Sequence, residues 1–340
     1  MEHQHLPMIT ERTPAGRRAD SGRRYRIQQS GLEILILFLL VQVASIIYGV
    51  ISPDTFAYVS PANIQTALEA IPLLGIPALG VGTLMIAGEF DLSIGANYIF
   101  SSIIMAQLAE NGLSVWLAAL LGLGIGAGIG LLNGVITLRL RIPSFITTLG
   151  TMGIWDAATL FIHGASSQPF NPPPEFAAVT AGLFGIIPAE FLWFLALSIV
   201  FWALLHQHRL GNHIFAVGGN KYAAEENGVP GNRAKLIAFG LTGACAALAG
   251  ILAAAQIGNI APSSATDLPL QAIAACVIGG LTLSGGRGTV LGMALGAALI
   301  YWIQDVLLLL GAPGFYLSAF VGVLIIGAAA IYEQLRRRQS

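Results

Sequence analysis

The sequence predicts an all-α, polytopic membrane protein of about ten transmembrane helices, with both termini on the cytoplasmic side. Hydrophobic residues make up 55% of the 340 and charged residues only 10%, against about 25% charged in a soluble domain. Runs such as Leu32–Ile51 and Val115–Leu138 reach the length of about 20 apolar residues that crosses bilayer hydrocarbon. They lack the alternation of barrel strands, so their backbone groups must be satisfied within each segment, as helices. Lys and Arg fall in alternate loops, which fixes the parity of the spans.

In order, the expected spans are 32–51, 63–87, 92–109, 114–138, 143–162, 189–206, 234–256, 267–283, 289–310 and 315–333. The third and eighth are the shortest and suit re-entrant segments as well as full spans. Arg12, Arg17, Arg18, Arg23, Arg24 and Arg26 precede the first span, and Arg336, Arg337 and Arg338 follow the last. Arg139 and Arg141, then Arg209, Lys221, Arg233 and Lys235, then Arg287, fall in the loops expected inside. The expected outer loops, 52–62, 110–113, 163–188, 257–266 and 311–314, contain neither residue. The organisation is thus an Arg-rich tail 1–31, a transmembrane domain 32–333 with a cytoplasmic loop 206–234, and a basic tail 334–340. The N-terminal stretch lacks the short apolar core and small-residue site of a cleavable signal.

Glycine numbers 41, and small residues let membrane helices approach closely. Gly122, Gly124, Gly126, Gly128 and Gly130 lie in one span, Gly126 and Gly130 as a small-xxx-small pair. Cys245 and Cys276, inside apolar runs, read as buried packing residues. Pro169, Pro172, Pro173 and Pro174 in the outer loop 163–188 read as stiffening it and excluding a helix. One internal echo exists. Gly88, Leu92, Ser93 and Gly95 align with Gly279, Leu283, Ser284 and Gly286.

Several chemistries are excluded. Net charge is −1, so nothing points to nucleic acid. There is no G-x-x-x-x-G-K-S/T phosphate loop, so the chain does not hydrolyse ATP alone. No H-E-x-x-H or G-x-S-x-G motif is present. His206, His208 and His213 lack the further ligands that would complete a metal set. No enzyme activity, metal or cofactor is expected in this chain.

The remaining candidates are polar residues beside apolar runs. Asp91 and Ser93 follow Glu89 at the join of the second and third spans. Charge at membrane depth marks function by default, although Asp91 or Ser93 equally suits a helix cap. Asn97, Thr147, Thr148, Gln256, Asn259, Gln271 and Thr282 suit either an uncharged path for a hydroxylated substrate or hydrogen bonds between helices. The expected path or gate set is Asp91, Ser93, Asn97, Thr148, Gln256, Asn259 and Thr282. In the loop 206–234, Asn220 is placed to cap a short helix from Lys221 to Glu226 or Asn227, and Gly228 with Pro230 to end it. Ala223 and Ala224 would give it a small, smooth surface. A two-turn helix is not stable alone, which favours a contact with another protein.

Four blocks in order carry a resemblance. Ala87-Gly-Glu-Phe-Asp-Leu-Ser-Ile-Gly95 is similar to a G-x-x-D-L-S-x-G block. Asn133-Gly134 with Arg141-Ile-Pro-Ser-Phe-Ile-Thr-Thr-Leu-Gly-Thr151 is similar to N-G…I-P-x-F-I-x-T-L-G-T. Gly211 to Gly228 resembles G-x-x-I-x-A-V-G-G-N-x-x-A-A-x-x-x-G. Gln271 to Gly280, then Leu283 to Gly292, resembles A-I-A-A-x-x-I-G-G…G-G-x-G-T. Together they resemble the permeases of ribose-type (monosaccharide) ATP-binding-cassette importers, from about residue 33 onward. The resemblance implies a bacterial inner-membrane permease that is dimeric, with a second copy or a paralogue. It implies ABC ATPase subunits that bind ATP and Mg, a periplasmic sugar-binding protein, and a small sugar or polyol as substrate. Gly219, Asn220, Lys221, Ala223, Ala224, Glu225 and Gly228 would form the coupling helix seated on the ATPase. Glu89 departs from the family, which often has a small or apolar residue there, and the Arg-rich N-terminus is longer than many. The alternative is an ion-coupled secondary transporter, with Glu89 or Asp91 as ion site. A membrane enzyme ranks third.

Overall fold

The computed structural model describes residues 21–313 and, beyond them, 315–316, 319–323 and 326–327, with side chains from residue 35 onward. Twelve helices are described: α1 (Ser21–Ile51), α2 (Pro61–Ile86), α3 (Ile94–Glu110), α4 (Val115–Leu140), α5 (Ser144–His163), α6 (Pro174–Thr180), α7 (Ala189–His206), α8 (Arg209–Gly219), α9 (Lys221–Glu226), α10 (Gly231–Ile257), α11 (Leu268–Ile278) and α12 (Val290–Leu309). Two-residue strands β1 (Gln168–Pro169), β2 (Leu183–Phe184), β3 (Ile187–Pro188) and β4 (Asn259–Ile260) pair antiparallel, β1 with β4 and β2 with β3.

Nine of the ten expected spans coincide with helices, while about half of the tenth, 315–333, lies outside the described residues. So do most of the tail 1–31 and all of 334–340. Among the described residues, α2, α4, α5, α7, α10 and α12 are long and apolar enough to cross a membrane. In α1 the apolar part is Leu35–Ile51, and α3 has 17 residues, a rise of about 25 Å, so among the described segments the eighth falls furthest short. The 11 residues of α11 rise only about 16 Å, half of the hydrocarbon thickness.

The core is built around α2, the most buried of the long helices. Ser60 caps it, its Oγ accepting from Asn63 N at 3.2 Å, and Pro61 occupies the first turn, where no amide donor is needed. Pro72 and Pro77 are tolerated inside it because neighbouring helices cover the gaps. Helices α7, α10, α11 and α12 surround it. Thr242 of α10 donates to Gly80 O at 3.0 Å, and Cys276 of α11 to Ala78 O at 3.2 Å. Both cysteines are free and buried.

The most extensive helix–helix contact is that of α4 with α10. A Cβ on Gly130 would run into Phe239 O, and one on Gly126 would run into Ala247 while lying 2.8 Å from Gly243 O. Gly124 and Gly128 face open space. The glycine stretch therefore packs along one stripe, spaced by one turn.

Two expectations are corrected. The outer loop 163–188 does contain a helix, α6. Pro174 opens it at a position whose N–H would have no partner anyway, so proline starts this helix rather than forbidding it. The loop 206–234 holds a second helix, α8, ahead of the expected short one. Gly211, Ile214 and Val217 bury one stripe of α8, and His208 Nδ1 caps it by accepting from Leu210 N at 3.1 Å.

Candidate functional site

Two places on the molecule combine unusual backbone with polar side chains. The first is at the end that carries the loop cations. After α2, Gly88 takes φ +82°, its N–H returns to Met85 O, and Glu89 N returns to Leu84 O. After α11, Gly280 takes φ +83°, its N–H returns to Val277 O, and Leu281 N returns to Cys276 O. The echo in the sequence is thus a repeated helix ending, but its register differs by one. Gly88 matches Gly280 rather than Gly279, because the left-handed residue defines the cap.

These two endings meet across the C-terminal end of α8, just before α9. Gly286 N donates to Ile86 O at 2.8 Å. A Cβ on Gly218 would fall on Ile86 O, and one on Gly285 would lie 2.9 Å from both Gly218 O and Gly88 Cα. Only glycine permits this backbone-to-backbone contact. Glu89 forms a largely buried ion pair with Lys235 of α10, at 2.5 Å. Helix α9 stands beside this knot. Asn220 Oδ1 caps it by accepting from Ala223 N at 3.1 Å, and Gly228 with φ +78° follows its end. Lys221 reaches Asn232 Oδ1 at 3.1 Å and Glu225 at 3.9 Å. Ala224 is buried, whereas Ala223 and Tyr222 are exposed, Tyr222 at 81%. The two alanines do not form one smooth surface, since neighbours on a helix point about 100° apart.

From the knot, 87–93 runs up between α4 and α5. Phe90 N donates to Ser144 Oγ and Leu92 N to Thr148 Oγ1, each at 3.0 Å. Asp91 Oδ1 accepts from Ser93 N at 2.8 Å and Ser93 Oγ at 2.7 Å, while Asn133 Nδ2 donates to Ser93 Oγ at 2.8 Å and Asp91 Oδ2 at 3.3 Å. Ser93 is the residue that starts α3, but its hydroxyl accepts no backbone N–H there. Asp91 instead closes a local turn on Ser93.

The second place is a cavity of about 320 Å³ between α2, α3, α11 and α12, with the loop 263–267 at its rim. Tyr98, Gln271, Tyr301 and Gln304 bring polar groups to its wall. Its other lining includes Leu73 and Leu74, midway along α2.

Residues 63–329 match a transport family described as a branched-chain amino acid transport system permease component. The chain belongs to this permease family. It is 33% identical over 309 residues to the autoinducer 2 import system permease protein LsrC of Yersinia enterocolitica, covering 90% of this chain and 82% of that one. It is 32% identical over 296 residues to LsrC of an Enterobacter species, covering 86% and 84%. The LsrC of Yersinia pestis matches at 32% over 305 residues. No solved structure matches. The permease is a non-catalytic subunit of an ATP-binding-cassette importer and a multi-pass protein of the bacterial inner membrane.

The structure distributes the expected path residues over several places. Asp91, Ser93 and Thr148 come together in the cluster above. Asn97 is wedged between helices, donating to Gly126 O at 3.1 Å and Gly243 O at 3.3 Å, with Ser101 Oγ on its Oδ1. Gln256 donates to Glu69 Oε2 at 3.2 Å, and Asn259 lies in β4, opposite Pro169. Thr282 Oγ1 donates to Gly285 O at 2.8 Å within the turn after α11. Of the polar cavity residues, Gln271 was among the sequence candidates. Tyr98, Tyr301 and Gln304 were not, since aromatic and amide residues inside apolar helices look like packing until the helices are assembled.

Proposed function

We propose that the permease imports a small polyhydroxylated molecule of the autoinducer 2 or monosaccharide type, driven by separate ATPase subunits that hold ATP and Mg. The observation that carries this is α9 and its wiring. A short capped helix presents Tyr222 and Ala223 outward, and Gly218 and Gly219, which end α8 just before it, lie directly on the loops that end α2 and α11. A push on α9 would reach both loops at once through rigid backbone contact. The coupling residues are Gly219, Asn220, Lys221, Ala223, Glu225 and Gly228, with Ala224 as the inward seat of the helix. The cluster of Asp91, Ser93 and Thr148 above the knot serves as the gate, with Asn97 tying it to α4 and α10. Thr282 shapes the α11 loop, and Gln256 and Asn259 face the opposite end.

The basic end is the cytoplasmic one, and ten segments cross or enter the membrane, α11 as a half-span completed by the loop before it. The end formed by α6, β1 and β4 faces the periplasm and receives a sugar-binding protein. The exposed apolar face of α5, with Phe145, Ile146, Leu149, Ile154 and Phe161, meets the second copy or a paralogue. An ion-coupled mechanism is not favoured. Glu89 is committed to Lys235, and Asp91 accepts from Ser93 and Asn133.

The test is uptake of autoinducer 2 into proteoliposomes holding the permease, its ATPase and its binding protein. Tyr222→Arg should abolish ATP-driven uptake at normal permease levels. Unchanged uptake removes α9 from the coupling role.

A further inference from the structure

The position of the cavity follows from two interrupted helices. α3 and α11 both begin at its wall, with Tyr98 in the second turn of α3 and Leu268 and Gln271 in the first turn of α11. They leave in opposite directions. α3 ends at Glu110, which accepts from Gln168 at the far end, whereas α11 ends at the glycine knot. Where they begin, the backbones touch, since a Cβ on Gly95 would run into Ala265 O and lie 3.3 Å from Pro269. The cavity is therefore level with the middle of α2 and α12, where broken helices place binding sites in transporters.

Asn97, Asn133, Thr148, Thr242 and Gln256 all bond to protein. The side chains of Tyr98, Gln271, Tyr301 and Gln304 have no hydrogen bond to any described residue, yet all four border this one space. Thr137, Thr147, Glu190 and Ser198 also have side-chain oxygens without a partner, but they are scattered and none of them lines the cavity. Polar groups at this depth are costly unless water or a ligand completes them. Two phenols and two amides can each donate and accept, which suits hydroxyls, and the tyrosine rings offer flat faces to a carbon skeleton. No Lys, Arg or His lines the cavity, and its one acidic residue, Asp267 on the rim loop, has a partner of its own, so no side chain offers a counter-charge to a carboxylate. Its volume of about 320 Å³ lies at the small end of ligand pockets, about 300–1,000 Å³.

We propose that this mid-depth cavity is where the substrate rests during passage, and that Tyr98, Gln271, Tyr301 and Gln304 select a small uncharged polyhydroxylated molecule by bonding its hydroxyls. The proposal rests on the importer reading above and adds the site that selects the cargo.

The experiment measures uptake of autoinducer 2, ribose and leucine by the complete importer in proteoliposomes, together with ATP hydrolysis stimulated by the binding protein. The wild type should take up autoinducer 2 or ribose and not leucine. Tyr301→Phe and Gln271→Leu together should raise the half-saturating concentration of the transported molecule at least tenfold, with stimulated hydrolysis within twofold of wild type. Saturation and ranking unchanged in that pair overturn the cavity, while dependence of wild-type uptake on ATP tests the importer reading separately. Wild-type uptake of leucine alone, or of none of the three, overturns the substrate class. If Gln271→Leu fails to reach the membrane, Tyr98→Phe with Tyr301→Phe, which removes only two hydroxyls, decides by the same measure.

Discussion

Among single residues, Glu89 and Lys235 form the closest ion pair of the described permease. Both side chains are largely buried, so removing one partner leaves an uncompensated charge, at a cost of about 3 kcal/mol. Glu89→Gln should lower the melting temperature in detergent, and adding Lys235→Met should recover most of the loss. A double variant no better than the single one would show that the two side chains act independently. Asp91 behaves differently. Asp91→Asn retains an oxygen for Ser93 N, and Asn133 has an unpaired Oδ1 that can accept from the new amide once its side chain flips. Permease levels in the membrane should therefore stay within about twofold, because the turn survives. Loss of uptake at those levels would assign the negative charge itself to the gate. Sequence placed Asp91 and Ser93 at a helix start but not their partners, since Asn133 and Thr148 approach from helices 40 or more residues away.

At the scale of elements, the α4–α10 contact depends on glycine at one-turn spacing. Gly130→Leu puts a branched side chain where Phe239 O already sits, so the helices must part and expression in the membrane should collapse. Gly128→Leu, on the open side of the same helix, should be tolerated. Immunoblotting of membranes compares the two, and equal levels would contradict the packing stripe. Within α9, Ala224→Arg should unseat the helix from its own chain, because Ala224 is buried. Tyr222→Arg should leave it seated and alter only the outer face. Protease sensitivity of the loop separates these outcomes, with cleavage rising for the first variant only. The short helix was legible because Asn220, Gly228 and Pro230 are local signals. α6 and α8 were not, as a proline-rich opening and a short amphipathic helix with three glycines resemble loops until their buried faces find a surface.

At the scale of the whole molecule, the arrangement separates a basic end, where the glycine knot and α9 lie, from an opposite end stitched by β1 and β4. A reporter fused after Ser340 should read cytoplasmic, and one inserted near Pro173 periplasmic. Two reporters on the same side would overturn the parity of the spans. The membrane class, the positions of the long helices and the short helix α9 are all readable along the chain. Those follow from composition, run length and local caps, which act within about 20 residues. The short length of α11, the meeting of the α2 and α11 endings at Gly218, and the set of polar groups that face the cavity emerge only in the folded molecule. Each of these depends on how helices distant in sequence are rotated and stacked, and in an apolar environment hydrophobic periodicity does not encode that rotation. It is set by small residues and interhelical hydrogen bonds, whose partners are known only once the chain has folded.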